Sequence, residues 1–366
     1  MKTQKQKTMK MLLFKQGMLV LTAWLLALSA SAQEVSKEFR KEFVADKNTT
    51  IDISNRYGNV VVTSWNNDKV DIYVKVTIEL PDRSRAERLL SMIDIQFNES
   101  QGTVSAKTVI DDRFSFSGWG TSNRRFSINY TVKMPYNSNF TLVNRYGNAD
   151  IDELGGIVDL NVKYGNITVT RLTRQDEKPL NRIELQYGKG IVKEAGWLDV
   201  YLRYCGMFEM KSARAVLLDS QYSKIRAGEV SSLVGTSKYD TYNIEKISNI
   251  VLETGYTTVN VGTLARKFSL TGSYGSVNVD NVPKGFEMID IDTRYTGVRI
   301  GIDDEASYRL NGRSSYNSIK YDEEKMTIKK RIVENTSTEI EGVIGKEASP
   351  ASTVRISTSY GSVRLF

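Results

Sequence analysis

A turn centred on tyrosine recurs twelve times along the chain and constrains its fold more than any other feature. In its clearest form the turn reads Asn-Arg-Tyr-Gly-Asn, at residues 55–59 and again at 144–148. From Tyr146 to Tyr316 the central tyrosines are 17 to 23 residues apart. Units that repeat at such a short spacing predict stacked coils that share one continuous core. The twelve tyrosines are Tyr57, Tyr146, Tyr164, Tyr187, Tyr204, Tyr222, Tyr239, Tyr256, Tyr274, Tyr295, Tyr316 and Tyr360.

The flanks of each turn alternate in the manner of β-strands. Before Tyr164, apolar residues at 158, 160 and 162 share the parity of the tyrosine, and after it apolar residues resume at Ile167 and Val169. This pattern predicts strand, turn and strand with one buried face. At ~3.3 Å per residue one repeat makes a circuit of roughly 55–60 Å, whereas a propeller blade needs ~40 residues or more. We therefore predict an all-β fold, a parallel β-solenoid (β-helix) with coils of 17–21 residues.

A different unit interrupts the repeats between Tyr57 and Tyr146, which are 89 residues apart. Residues 70–80 alternate as a long strand, and Ser84 with Glu87 forms a capping-box pattern before a short helix over 85–92. Further strands are predicted at 93–97, 103–110 and 125–134. We expect residues 33–142 to hold the first repeat and a small α+β cap over the exposed coil edge, and residues 143–366 to form the solenoid domain.

The first 32 residues read as a signal peptide. Five lysines without an acidic residue precede an apolar stretch at 17–30, and Ala30-Ser31-Ala32 fits the small-residue cleavage rule. The apolar stretch is short for a bilayer span, so we prefer a cleaved leader to a retained membrane anchor. We therefore expect an exported protein of the periplasm or cell surface, with no transmembrane segment in the mature chain.

Charge and composition exclude several classes of function. The net charge of +7 falls to about +2 without the five leader lysines, so nucleic-acid binding is not expected. Cys205 is the single cysteine, which rules out an internal disulfide and leaves stability to the core. The absence of histidine excludes Ser-His-Asp and Cys-His catalysis and removes the commonest zinc and copper ligand. We predict no catalytic residues, no metal site and no cofactor.

Three sets of residues are candidates for a structural or binding role. Because the tyrosines share parity with core residues, we predict that they stack as a structural ladder at an inner corner, with a ligand-binding stripe as the alternative. The residue before each tyrosine is expected to point outward and is often basic, forming either a stripe for an anionic glycan or partner or a solubilising face. The basic members are Arg56, Arg145, Lys163, Arg203, Lys238 and Arg294. An aromatic loop with Phe114, Phe116 and Trp119 is either a sugar or partner contact or a loop tip folded onto the cap.

Other chemical groups give weaker signals. Carboxylate pairs occur at residues 111–112, 303–304 and 323–324, but adjacent strand residues face opposite ways and do not by themselves form a site. Cys205 follows Tyr204 in place of the usual glycine and reads as a tolerated small residue. The stretch from Tyr316 to Tyr360 reads as two coils with one tyrosine missing, and residues 363–366 read as the completion of the last coil.

The early turn followed by Val60–Trp65, the strand–helix–strand insert and the closing segment at 356–363 together resemble a bacterial family of putative adhesins with β-strand repeats. The resemblance implies an envelope β-solenoid and carries no catalytic signature. The chain departs from the family by having tyrosine where such repeats often have only glycine. The resulting prediction is a non-enzymatic envelope protein, an adhesin or scaffold that binds a protein or glycan through the solenoid face. The alternatives are a solenoid enzyme acting on polysaccharide and an envelope-sensing partner protein.

Overall fold

The computed structural model describes residues 33–115 and 125–366, in which 24 strands form one long, mostly parallel sheet and a single helix packs near one end. The expected signal peptide lies outside the described residues. The strands are β1 Gln33–Val44, β2 Thr50–Arg56, β3 Val60–Trp65, β4 Lys69–Leu80, β5 Ile93–Ser100, β6 Thr103–Ile110, β7 Arg125–Pro135, β8 Asn139–Arg145, β9 Ala149–Leu154, β10 Val158–Lys163, β11 Ile167–Leu172, β12 Asn181–Gln186, β13 Lys189–Arg203, β14 Met207–Gln221, β15 Lys224–Lys238, β16 Thr241–Gly255, β17 Thr258–Val282, β18 Met288–Ile302, β19 Tyr308–Ser315, β20 Ile319–Lys320, β21 Met326–Val333, β22 Ser337–Ile344, β23 Ser352–Ser359 and β24 Val363–Leu365, and the helix is α1 Arg83–Leu90.

Each coil has two walls that meet at the tyrosine turn. The strand before a tyrosine pairs in parallel with the strand before the next one, as β8 pairs with β10, and the strands after the turns pair likewise, as β9 pairs with β11. The first wall is the set of strand segments that precede the tyrosines, and the second wall is the set of segments that follow them. Strands β13 to β18 are long enough to contribute segments to both walls. Apolar side chains of both walls, such as Leu160 and Val169, are fully buried between them. The all-β solenoid prediction is confirmed.

The tyrosines lie on the outside of the turns, which corrects the predicted inner corner. All twelve have a positive φ between 52° and 62°. Alternation of side chains holds only within extended backbone, so one left-handed residue resets which side the next side chain faces. The tyrosine therefore turns outward, and the residue after it turns inward. Cys205, Ser223, Asp240 and Thr257 at that next position are all at most 3% exposed.

The N-terminal end continues both walls beyond the first coil. β6 pairs in parallel with β2 and β7 with β3, so the insert supplies the pair of strands that a preceding coil would supply. Beyond them, β5 pairs antiparallel with β6, β4 with β7, and β1 with β4. Helix α1 begins at Arg83, two residues earlier than expected. Asp82 rather than Ser84 caps it, because the Asp82 carboxylate accepts a hydrogen bond from the Arg85 N–H at 3.0 Å. The predicted capping box is therefore wrong.

The C-terminal end departs from the predicted order of coils. β23 lies between β18 and β19, and β24 lies between β18 and β20, so the last segment of the chain forms the penultimate coil. The chain between Tyr316 and Tyr360 is not two coils. It includes an antiparallel hairpin, β21 and β22, whose second strand pairs with β19.

Among residues 33–115 and 125–366, the helix is too short and too polar to cross a bilayer.

Candidate functional site

The twelve tyrosines form a single column of stacked rings, here called the tyrosine column. Neighbouring ring centroids are 4.5–5.2 Å apart with interplanar angles of 11° or less. Eleven of the rings are 43–58% exposed, while Tyr57 is half-buried next to Phe126. Stacking covers the ring faces, so solvent meets the ring edges and the hydroxyls. The column is a surface feature with a repeat set by the spacing of the strands.

The tyrosines are not needed to fill the core, because the rings lie outside it. A left-handed backbone costs a residue with a Cβ about 1–2 kcal/mol, whereas glycine adopts it freely. Each stacked pair of rings returns about 0.5–1.5 kcal/mol. The same strained aromatic residue nevertheless occupies all twelve turns, while the residue after it varies among Gly, Cys, Ser, Asp, Thr and Asn. This persistence marks the column as a candidate binding surface.

Buried polar groups hold each turn in place behind the column. The Asn55 and Asn144 side-chain amides donate to the Gly58 carbonyl at 3.2 and 3.1 Å. In later coils, Ser220 and Ser237 donate to the buried carboxylate of Asp240, and burial raises the pKa of this carboxyl. In these coils the polar side chain two residues before the tyrosine therefore bonds to the turns themselves.

The register brings the six predicted basic residues into one outward column, here called the outward stripe. Arg145 lies opposite Arg56 and Lys163 in the neighbouring strands. The stripe is not uniformly basic, because Gln186, Gln221, Gly255 and Ser273 occupy the intervening coils. Some of its cations pack against nearby groups: the Lys163 ammonium lies 5.5 Å from the Tyr164 ring centroid, and the Arg203 guanidinium lies 3.0 Å from the Asp219 carboxylate.

A groove of about 1130 Å³ follows the tyrosine column through the C-terminal half of the first wall. Eight strands contribute to it, from β13 to β19 by way of β23. At ~4.8 Å per strand, this number corresponds to a length of roughly 34 Å. Tyr239, Tyr256 and Tyr274 line one side, and the outward stripe contributes the floor. The opposite side, here called the groove rim, comprises Asp219, Thr236, Glu253, Thr271 and Asp292, which are aligned in the strand register.

Small residues in the floor open this groove. Gly255 and Ser273 stand where other coils carry Arg, Lys or Gln. Nothing in the backbone demands glycine at 255, because its φ lies outside the left-handed region and an added Cβ would meet only the Lys238 side chain at 3.9 Å. The fold would therefore accept a larger residue here. Sequence reasoning named only the basic members of the stripe and missed Gly255, although the break in the run of basic residues is visible in the sequence.

The aromatic loop is only partly within the described residues. The Phe114 ring is partly buried and lies 5.2 Å from the Phe126 ring, which is the arrangement expected of a loop folded onto the cap. Phe116 and Trp119 lie outside the described residues.

One member of each carboxylate pair contacts a cation, and the pairs at 303–304 and 323–324 lie near each other because Lys325 contacts both Asp304 and Asp322. Arg113 hydrogen-bonds Asp111 at 2.8–2.9 Å and thereby lowers the pKa of that carboxyl. The Lys325 ammonium lies 2.9 Å from Asp304, and the Arg331 guanidinium lies 3.6 Å from Glu323. Within residues 33–115 and 125–366, no three Cys, Asp or Glu side chains cluster in a way that could hold a metal ion.

Cys205 is buried and hydrogen-bonded rather than poised to react. Its Sγ lies 3.2 Å from the Leu185 carbonyl oxygen, and burial raises the pKa of the thiol. Since the thiolate is the reactive form, such a thiol is a packing element of the turn.

No family model matches the chain, and a search of curated proteins found no match. Solved structures with similarity to it include proteins described as putative adhesins. One from Parabacteroides merdae has a TM-score of 0.39 and 11% identity over 66% of this chain and 96% of that chain. Another, from Parabacteroides distasonis, has a TM-score of 0.31 and 9% identity over 90% of this chain and 97% of that chain. A third, described as a putative lipid binding protein from Parabacteroides distasonis, has a TM-score of 0.38 and 10% identity over 68% of this chain and 96% of that chain.

Proposed function

We propose that the protein is an exported, non-enzymatic binding protein of adhesin type that holds an extended ligand in the groove beside the tyrosine column. The observation that carries the proposal is the groove itself. It crosses eight strands and is bordered by a row of exposed aromatic rings. Its floor is lowered by a glycine that the backbone does not require. A long, open site of this shape suits a polymer or a long segment better than a compact substrate.

The arrangement of the groove acids supports binding rather than catalysis. Asp219, Glu253 and Asp292 lie on every second strand, with Thr236 and Thr271 on the strands between them. Two strand spacings amount to roughly 9–10 Å, so acids aligned in this register do not reach one another by hydrogen bonds. Hydrolysis of a glycosidic bond needs two carboxyl groups acting on one bond, about 5–5.5 Å apart in retaining enzymes and about 6.5–9.5 Å apart in inverting ones, and the spacing of the groove acids lies at or beyond the upper limit. The groove acids are instead placed as separate hydrogen-bond acceptors along a ligand.

Co-sedimentation of the chain from Gln33 onward with the envelope fraction of the native cells tests the proposal. Gly255→Gln places in the groove floor a residue that two other coils already carry in the stripe, so the fold should accept it. Gly206→Gln is the matched control, because an added Cβ there meets only the Lys189 side chain, at 3.8 Å, and Gly206 does not line the groove. We expect Gly255→Gln to abolish co-sedimentation and Gly206→Gln to retain it, with equal thermal stability in both.

A second pair of variants separates the role of the groove from that of the column. Tyr239→Asn with Tyr256→Asn changes two rings that line the groove, and Tyr164→Asn with Tyr187→Asn changes two that do not. Both pairs lose comparable stacking, since their ring centroids are 4.9 Å apart in each case. Asparagine tolerates the left-handed backbone. Equal binding by wild type and all groove variants would refute the proposed function.

A further inference from the structure

We infer that the ligand of the groove is a neutral, linear polysaccharide. This inference rests on the proposed function and adds the chemical class of the ligand. Four charged groups of the groove, Lys238, Glu253, Asp292 and Arg294, form no ion pair within 4.0 Å among the described residues. The Lys238 and Arg294 side chains donate hydrogen bonds, and the Glu253 and Asp292 carboxylates accept them. A hydroxyl both donates and accepts, so a chain of hydroxyl groups can satisfy both kinds of group in turn.

The mixed charge of the groove argues against charged polymers. The carboxylates of Glu253 and Asp292 on the rim would repel a polyanion, and Lys238 and Arg294 in the floor would repel a polycation. Arg203 and Arg313, the other two cations of the groove, are paired with Asp219 and Glu339 and do not change this balance. A nucleic acid or an acidic glycan therefore fits this groove less well than a neutral chain.

The groove also lacks the groups that bind an extended peptide. Recognition by strand addition needs free backbone N–H and C=O groups at a sheet edge. The floor of the groove lies on the face of β15, β16 and β17, and each of these strands pairs in parallel with a neighbouring strand on both sides. Only side chains are available to the ligand, and those at Thr236, Thr271 and Ser273 carry hydroxyls.

The tyrosine column supplies a complementary border. Because the faces of Tyr239, Tyr256 and Tyr274 are covered by stacking, their edges and hydroxyls face the groove at intervals of 4.8–4.9 Å. The edge of an aromatic ring carries partial positive charge, which attracts the lone pairs of ring and hydroxyl oxygens. A border that repeats at constant spacing suits a ligand with a repeating, oxygen-rich unit. A neutral polysaccharide has both properties.

The experiment repeats the co-sedimentation after treatment of the envelope fraction. Periodate cleaves vicinal diols of sugars, and protease digests proteins. We expect periodate to abolish binding of wild type, whereas protease and high salt leave it unchanged. Loss of binding with protease but not with periodate would overturn the polysaccharide while leaving the proposed function intact. If wild type does not bind the untreated envelope fraction, or binds it as well as the groove variants do, the proposed function itself is refuted.

A double variant, Glu253→Gln with Asp292→Asn, reports on the charge of the ligand. It keeps one acceptor oxygen at each position, replaces the other with an amide NH2 group and removes both negative charges. For a neutral polysaccharide we expect binding to weaken about tenfold, because hydrogen bonds to charged groups are stronger than those to neutral ones. An increase in affinity that disappears at high salt would indicate an anionic ligand and would overturn the inference. Gly206→Gln remains the control for an intact fold.

Discussion

Tyr204 shows at a single residue how the column can be stable although each turn is strained. Its φ of 55° is unfavourable for a bulky side chain. Its ring lies 5.0 Å from that of Tyr187 and 4.9 Å from that of Tyr222. Two stacked contacts are worth about 1–3 kcal/mol, against a backbone cost of about 1–2 kcal/mol. The stacking therefore offsets the strain only because neighbouring coils carry the same residue.

Replacing Tyr204 tests that balance. Tyr204→Asn relieves part of the backbone strain but loses both stacked contacts, and we expect it to lower the free energy of unfolding by about 1 kcal/mol. Tyr204→Phe keeps the ring and should change stability by less than about 0.5 kcal/mol, since the side chain is 49% exposed. Urea unfolding followed by circular dichroism provides the measurement. A Tyr204→Asn variant as stable as wild type would show that stacking does not maintain the column.

At the scale of the turn, the close approach of successive coils limits which residue can follow the tyrosine. A Cβ added to Gly147 would lie 1.8 Å from the carbonyl oxygen of Gly58, and one added to Gly165 would lie 1.9 Å from that of Gly147. The coils from Cys205 to Thr257 carry side chains at the same position. There the polar cluster around Asp240 fills the interior of the turn. The two solutions differ in what occupies the interior of the turn: a close backbone approach in one and polar side chains in the other.

Gly147→Ala should therefore be strongly destabilising. The clash is with backbone atoms, which cannot move without separating two coils, so we expect a cost at the upper end of the about 1–3 kcal/mol that is typical of overpacking. Gly297→Ala is the control, since Gly297 has no heavy atom within 4 Å of an added Cβ. Thermal unfolding of the two variants provides the comparison, with a clear loss expected for Gly147→Ala and almost none for Gly297→Ala. Equal stability would mean that the turns are looser than the structure indicates.

At the scale of the whole molecule, the C-terminal coil acts as an inserted layer. The Tyr360 ring lies between Tyr295 at 4.8 Å and Tyr316 at 4.5 Å. β19, which precedes it in the chain, therefore reaches β18 only through β23. In a solenoid each coil is stabilised mainly by its neighbours. Strands β23 and β24 therefore join the coil of β19 and β20, together with the hairpin of β21 and β22, to β18.

Deletion of residues 346–366 should detach that end and leave the rest folded. We expect limited proteolysis with mass spectrometry to yield a resistant fragment of the shortened chain that ends near Ile302, because β19 to β22 lose their contact with β18. The full-length chain should resist cleavage in the same region. Protection of residues 308–344 in the shortened chain would contradict this role of the inserted coil.

Several elements could be predicted from the sequence because their cause is local. Alternating apolar residues around Tyr164 determine which strand face is buried, and that face is buried in the structure. The side on which the tyrosines lie could not be predicted by extending the same alternation, because a single left-handed residue resets it. The helix start was misplaced by two residues for a similar reason: Asp82 and Ser84 both fit a cap, and only the folded backbone selects one.

The repeat period and the alternation of its residues determined that this chain forms stacked β-coils, since short-range spacing of apolar groups specifies a strand and its buried face. Tertiary structure decided which coils are neighbours, as in the insertion of β23 between β18 and β19. It also decided that Gly255 and Ser273 meet beside exposed tyrosines to form a groove. Both depend on pairing between strands that are distant in sequence, and that pairing is set by how the coils stack rather than by any local pattern.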